Sequence, residues 1–223
     1  MGYIPYYLLL FVASYALRYP WLLATAAIVW LVRRWLPDPV LFFRHAGHVA
    51  RLRRDIRANR DNVTARRDLA NIWLTKRRPR RALPLLEEAR QRDPESAELL
   101  LLTGIAQLES GHAEAALPLI IDAAARNERQ QYGLAYLMAG RALVKLRRWS
   151  DAEDALGRYV AINSSSVEAH VRLACVRRRL QDSAGAKTSL RDAVETFASV
   201  PGFRRRAELG WYLRAQLMRV GLA

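Results

Sequence analysis

The stretch AELLLLTGIAQLESGHAEAALPLIIDAAAR, residues 97–126, has the pattern of two short helices joined by a turn. Gly104, Ala116 and Ala123 are small residues at points where the two helices must approach each other, and Gly111 lies in the turn between them. Three further stretches show the same pattern at an average spacing of about 34 residues, and they begin near Val63, Gly133 and Val167. The chain therefore repeats one helical hairpin four times.

Small positions of the hairpin alternate with large apolar positions, which are suited to fill the layer between neighbouring hairpins. In the first stretch, the small and large positions of the pattern hold Leu69, Ala70, Trp73, Ala82, Leu86, Ala89 and Pro94. This order resembles the tetratricopeptide repeat, a pair of helices A and B that cannot bury its apolar face alone. The resemblance implies an all-α solenoid of four repeats, at residues 63–96, 97–132, 133–166 and 167–200, and a role in binding other proteins. Residues 201–223 are then expected to form a C-terminal capping helix.

The first 32 residues carry a single charged side chain, Arg18, and are otherwise mostly apolar. Residues 1–35 are therefore expected to form a hydrophobic membrane anchor. A single tilted span and a re-entrant hairpin that turns at Arg18–Tyr19–Pro20 are both compatible with this pattern, and the hairpin is slightly favoured because it keeps the charge near the headgroups. The positive charges that follow at Arg33 and Arg34 favour a cytoplasmic location for the repeats. Arginine strongly outnumbers lysine, which favours a bacterial source and hence the inner membrane.

Positive charge is concentrated directly after this segment. The formal net charge is +15, and residues 33–81 hold 15 Lys or Arg against four acids. Residues 36–62 are expected to form a basic juxtamembrane helix. Its arginines, together with those before it, are predicted to contact anionic lipid headgroups: Arg33, Arg34, Arg44, Arg51 and Arg54. Docking of the same helix on the first repeat is an alternative compatible with lipid contact, whereas the lack of a recognised motif argues against a nucleic-acid partner.

The helix A faces of tetratricopeptide arrays line a concave groove that binds a helix or peptide segment of a partner, and the resemblance implies the same here. The residues predicted to line this groove are Arg67, Asn71, Leu101, Ile105, Leu137, Arg141, Val171 and Arg178. Arg67 and Asn71 resemble two members of the carboxylate clamp of chaperone-binding repeats, but the remaining clamp positions are apolar here. An alternative is that the C-terminal helix or the basic helix of this chain fills the groove permanently.

The sequence does not indicate a catalytic site anywhere in the chain. The sequence has no phosphate-binding glycine loop and no triad-like constellation, and its one cysteine, Cys175, has no nearby histidine. We therefore expect no catalytic residue, no metal site and no cofactor. The sequence predicts a membrane-anchored scaffold or adaptor that binds a protein partner. The alternative is a permanent structural or assembly subunit of a larger membrane complex.

Overall fold

The computed structural model describes residues 39–128 and 130–221. The predicted anchor 1–35, with Arg33 and Arg34, lies outside the described residues, and the side chain of Arg44 does too. Within the described ranges the chain forms ten α-helices and one short 3-10 helix, with no strand. In that part of the chain, none of the helices is both long and apolar enough to cross a bilayer.

Eight of these helices form four successive hairpins, each with a helix A followed by a helix B. After α1 (Pro39–Ala58), the hairpins are α2 (Val63–Thr75) with α3 (Pro79–Arg92), α4 (Ala97–Glu109) with α5 (Ala113–Arg126), α6 (Leu134–Lys145) with α7 (Trp149–Ile162), and α8 (Val167–Arg179) with α9 (Ser183–Ser199). Helix α10 (Gly202–Val220) follows the last hairpin. The 3-10 helix Gln130–Gly133 lengthens the connection between the second and third hairpins.

Short polar side chains start most of the A helices. The side-chain oxygens of Asn62, Ser96 and Ser166 accept hydrogen bonds from backbone N–H groups three residues later, at 2.9, 3.5 and 3.3 Å. These bonds satisfy donors that a helix N-terminus otherwise leaves free. Helix α6 has no such cap, and the residue before it, Gly133, has φ +76°.

The turn inside each hairpin contains one residue with positive φ. These residues are Arg77, Gly111, Arg147 and Gln181, with φ of 54°, 99°, 59° and 64°. A left-handed residue after the last turn of a helix lets the chain reverse direction. Only one of the four is glycine, so the geometry of the hairpin is maintained even where the residue type does not favour it.

Two glycines allow helix A and helix B to approach closely. A Cβ atom added at Gly104 would lie 2.5 Å from Cγ1 of Ile120, and one added at Gly140 would lie 2.6 Å from Cγ of Leu156. Both distances are far shorter than van der Waals contact between carbon atoms. The small residues that mark the repeat in the sequence are therefore required by the contact between the paired helices.

The chain divides into two compact units, one ending at Arg51 and the other beginning at Leu52. The second unit contains the four hairpins and α10. Its larger core cluster joins the second and third hairpins to the start of the fourth, through residues such as Leu101, Ile120, Leu137, Leu156 and Leu173. A further cluster joins the fourth hairpin to α10, where Ala215 is fully buried and Trp211 and Met218 pack against it. Helix α3 of the first hairpin contacts α4 of the second, so each hairpin packs against a neighbour in the stack.

Candidate protein-binding site

The residues predicted to line the groove fall into two groups. Asn71 and Arg178 are exposed, and Arg67, Ile105 and Arg141 are half-buried. Leu101, Leu137 and Val171 are buried, with relative exposures of 0%, 5% and 0%. Leu101 and Leu137 pack in the apolar cluster that joins neighbouring hairpins, and Val171 packs in the cluster that joins the fourth hairpin to α10, so the structure buries these three predicted groove residues.

Arg67 and Arg141 bind carboxylates of neighbouring repeats. Arg67 lies 2.9 Å from Glu98 of the next hairpin and 2.9 Å from its own neighbour Asp68, while Arg141 lies 2.7 Å from Glu109 of the preceding hairpin. The hydrogen bond with Asp68 raises the pKa of Arg67 above its ordinary value. Both side chains therefore link repeats, and a ligand carboxylate would compete with an existing partner.

An open pocket lies where the third and fourth hairpins meet α10. We call it the Trp211 pocket; it has a volume of about 200 Å³ and is lined by Gly140, Arg141 and Val144 of α6, Trp149 and Leu156 of α7, Arg172, Cys175, Val176 and Arg179 of α8, and Trp211 and Arg214 of α10. The aliphatic part of the lining comes from Val144, Leu156 and Val176, and Trp149 and Trp211 add two aromatic rings. Gly140 adds no side chain, which lets Leu156 approach α6 closely.

Arginines stack on both tryptophans of the Trp211 pocket. The guanidinium carbons of Arg172 and Arg214 lie 4.7 and 5.7 Å from the centre of the Trp211 ring, and that of Arg179 lies 5.9 Å from the Trp149 ring. These are distances at which a cation is attracted to the face of an aromatic ring. The tryptophans therefore help to hold these cations in the lining of the pocket.

The arginines that line the pocket differ in whether a carboxylate pairs with them. Arg172 pairs with Glu168 at 2.7 Å, and Arg141 pairs with Glu109. For Arg179 and Arg214, the described ranges supply no carboxylate within 4.0 Å. The pocket thus combines an apolar interior with two unneutralised cations. This arrangement is suited to an apolar side chain flanked by carboxylates.

The sole cysteine of the chain also lines this pocket. Cys175 is half-buried, and its Sγ lies 3.6 Å from Sδ of Met218 in α10. The sequence predicted α10 only as a capping helix and did not indicate its contribution to this pocket. Within the described ranges, no three His, Cys, Asp or Glu side chains come together in a way that could hold a metal ion.

Two of the residues predicted to contact lipid are described with their side chains. Arg51 and Arg54 are both exposed on α1. Neither lies within 4.0 Å of a carboxylate in the part of the chain that the structure describes. Lipid contact by these residues stays a prediction.

The stacked hairpins define an α-helical repeat solenoid. Two family models described as tetratricopeptide repeat match residues 74–133 and 137–202. The chain is therefore a tetratricopeptide repeat protein, as its residue pattern predicted. No curated protein matches it significantly.

Several solved structures share this fold. A crystal structure of MamA matches with a TM-score of 0.62 at 19% identity, over 68% of this chain and 87% of that one. MamA 41-end from Desulfovibrio magneticus RS-1 matches with a TM-score of 0.56 at 17% identity, over 73% and 93% of the two chains. TTC0263, a thermophilic tetratricopeptide protein of Thermus thermophilus, matches with a TM-score of 0.59 at 20% identity, over 80% and 95%. At these identities the similarity is one of fold.

Proposed function

We propose that this chain is a scaffold that binds an acidic, partly apolar segment of a partner protein in the Trp211 pocket. The observation that carries the proposal is the combination of an apolar interior with Arg179 and Arg214, two cations that the described residues leave without a carboxylate partner. Tetratricopeptide repeats generally bind other proteins, and the family match supports the same role here. The partner supplies the missing carboxylates.

The dimensions of the pocket favour one anchoring side chain. A volume of about 200 Å³ accommodates a single large apolar or aromatic residue. Carboxylates on either side of that residue would reach Arg179 and Arg214, whose planar guanidinium groups can donate two parallel hydrogen bonds to one carboxylate. Arg67, Asn71, Ile105 and Arg178 extend the proposed contact surface along the A helices.

The proposed scaffold is tethered to the inner face of a bacterial inner membrane. The apolar composition of residues 1–32 supports the tether, and the arginines that follow support a cytoplasmic location for the repeats. Arg33, Arg34, Arg44, Arg51 and Arg54 are proposed to contact anionic headgroups. Single-span and re-entrant anchors are both compatible with this arrangement.

A second candidate function is a permanent subunit of a larger membrane complex. The outer face of α10 favours it, because Leu213, Leu217 and Val220 are 53%, 75% and 79% exposed. The terminal helix of a solenoid usually has a polar outer face. An apolar one is typical of a surface that another protein covers.

Partner capture with matched charge reversals tests the proposal. The full chain, the double variant Arg179→Glu/Arg214→Glu and the control Lys187→Glu/Arg219→Glu are each purified from membranes with their bound proteins. Lys187 and Arg219 line a separate surface depression, and the control changes the net charge by the same amount. We expect the control to retain a defined partner that the pocket variant loses.

Retention of every partner by the pocket variant would contradict the proposed site. Size analysis of the same samples separates the two candidate functions. A fixed-stoichiometry assembly that survives reversal of Arg179 and Arg214 would favour the permanent subunit.

A further inference from the structure

The first hairpin, together with the end of α1, forms a second concave surface that the proposed partner site does not include. We call it the Trp73 trough; it is open, has a volume of about 840 Å³, and has Ile56, Trp73 and Leu85 along its floor. Its sides carry Arg53 and Arg57 from α1 and Arg80 and Arg81 from the first turn of α3. Four guanidinium groups therefore surround an apolar floor.

The trough has an unusually high density of positive charge. Residues 52–60 and 76–81 contain nine Lys or Arg and a single acid, Asp55. Three cations lie over the Trp73 ring, with Arg53, Lys76 and Arg81 at 5.8, 5.8 and 5.2 Å from its centre. The tryptophan thus holds several like charges close together.

Carboxylates do not neutralise this cluster. Among residues 39–128 and 130–221, no carboxylate lies within 4.0 Å of Arg53, Arg57, Lys76, Arg80 or Arg81. Elsewhere in the hairpins many arginines are paired, as Arg66 is with Glu88 and Arg177 is with Glu153. Arg80 and Arg81 also stand in the first turn of α3, where the helix dipole disfavours a cation. The cluster is therefore self-repelling until an anion binds.

The geometry points to phosphate-bearing headgroups rather than nucleic-acid bases. Trp73 is only 8% exposed and cations cover its ring, so the ring cannot stack on a base. Arginine guanidinium groups bind phosphate oxygens bidentately. The trough also follows the apolar segment 1–32 by only about 20 residues. A membrane tether at that segment would keep the chain at a surface that carries such headgroups.

We propose that the Trp73 trough binds the phosphate groups of acidic phospholipid headgroups. Its cations are distinct from the lipid contacts predicted at Arg33, Arg34, Arg44, Arg51 and Arg54. The apolar floor lies beneath the glycerol and upper acyl region of the bound lipid, while Arg57 and Arg80 contact the phosphates. Binding relieves the repulsion within the cluster and should stabilise the first hairpin. This proposal depends on the proposed membrane tether in one respect only, namely that the tether keeps the chain at a bilayer.

Hydrogen exchange of the full-length chain in bilayer nanodiscs tests this inference. Nanodiscs of phosphatidylcholine alone are compared with nanodiscs that contain phosphatidylglycerol, and amide exchange is followed over residues 76–92. We expect exchange there to slow about tenfold in acidic nanodiscs. A ligand present at about ten times its dissociation constant stabilises the folded state by a factor of about ten. Arg57→Glu/Arg80→Glu should abolish this response, whereas Lys187→Glu/Arg219→Glu, with the same charge change, should preserve it.

Three results would overturn the inference. The first is equal exchange in neutral and acidic nanodiscs, and the second is an unchanged response in the Arg57→Glu/Arg80→Glu variant. The third is full protection by inorganic phosphate in neutral nanodiscs, which would assign the site to free phosphate. Failure to enter neutral nanodiscs would instead contradict the membrane tether, and acidic nanodiscs added to the chain in solution would still test the trough.

Discussion

At the scale of single residues, glycine at the crossing of helix A and helix B determines how closely each pair can pack. Gly140 and Gly157 both lie inside helices of the third hairpin, α6 and α7, but in different surroundings. A Cβ atom at Gly140 would collide with Leu156, whereas one at Gly157 would meet no atom within 4 Å. The two positions therefore separate the effect of packing from that of helix propensity.

Gly140→Ala should reduce the free energy of unfolding by about 1–3 kcal/mol, because the added methyl group overfills the contact with Leu156. Gly157→Ala should raise it by about 0.5–1 kcal/mol, because alanine favours the helix and the site is open. Chemical denaturation of both variants beside the wild type measures the difference. Stabilisation by Gly140→Ala would contradict the close approach of α6 and α7.

The sequence predicts well which small residues lie where the paired helices cross. It predicts less well which large residues are exposed. Gly104 was expected at a helix crossing and lies there, and Gly140 has the same role in the third hairpin. Leu101, Leu137 and Val171 were assigned to the groove and are buried. Helical spacing fixes the direction of a side chain from its own helix, but burial also depends on how far the next hairpin extends over it. That distance is not encoded locally.

At the scale of elements, local capping chemistry determines where the A helices begin. Ser166 is 6% exposed, and its hydroxyl accepts a hydrogen bond from the backbone N–H of Ala169. Its neighbour Ser165 is exposed, and its hydroxyl donates a hydrogen bond to Oδ1 of Asn163 in the same loop. These two serines provide a matched test of the cap of α8.

Ser166→Ala should lower the free energy of unfolding by about 1 kcal/mol, because one N–H of α8 loses its acceptor. Ser165→Ala should change it by less than about 0.5 kcal/mol, as expected of a surface substitution. Thermal unfolding of the two variants at equal concentration compares them. Equal effects would show that Ser166 does not cap α8.

Helix boundaries were predictable because such signals are local, whereas turn geometry was not. Asn62, Ser96 and Ser166 each precede an apolar helical stretch, which is a recognised start signal. Arg77, Arg147 and Gln181 adopt positive φ although their residue types do not indicate it. The packing of the paired helices imposes that conformation, and a single-residue preference does not reveal it.

At the scale of the whole molecule, the proposed binding site is assembled from parts that are distant in sequence. Val144, Arg179 and Trp211 come from three different helices of the second unit. The sequence identified the A helices as the binding face, but it treated α10 only as a cap. The contribution of Trp211 and Arg214 depends on how α10 packs against α8 and α9, which is a tertiary property.

Site-specific photocrosslinking in cells tests the central claim, that the Trp211 pocket holds a segment of a partner protein. A photoreactive amino acid is placed at Val144, which lines the pocket, or at Ile121, which is 54% exposed on α5 and is not among the residues that line it. We expect Val144 to crosslink a defined protein that Ile121 does not reach, and Arg179→Glu/Arg214→Glu to abolish that product. Identical products from the two positions, or a Val144 product that persists in the charge-reversed chain, would contradict the claim.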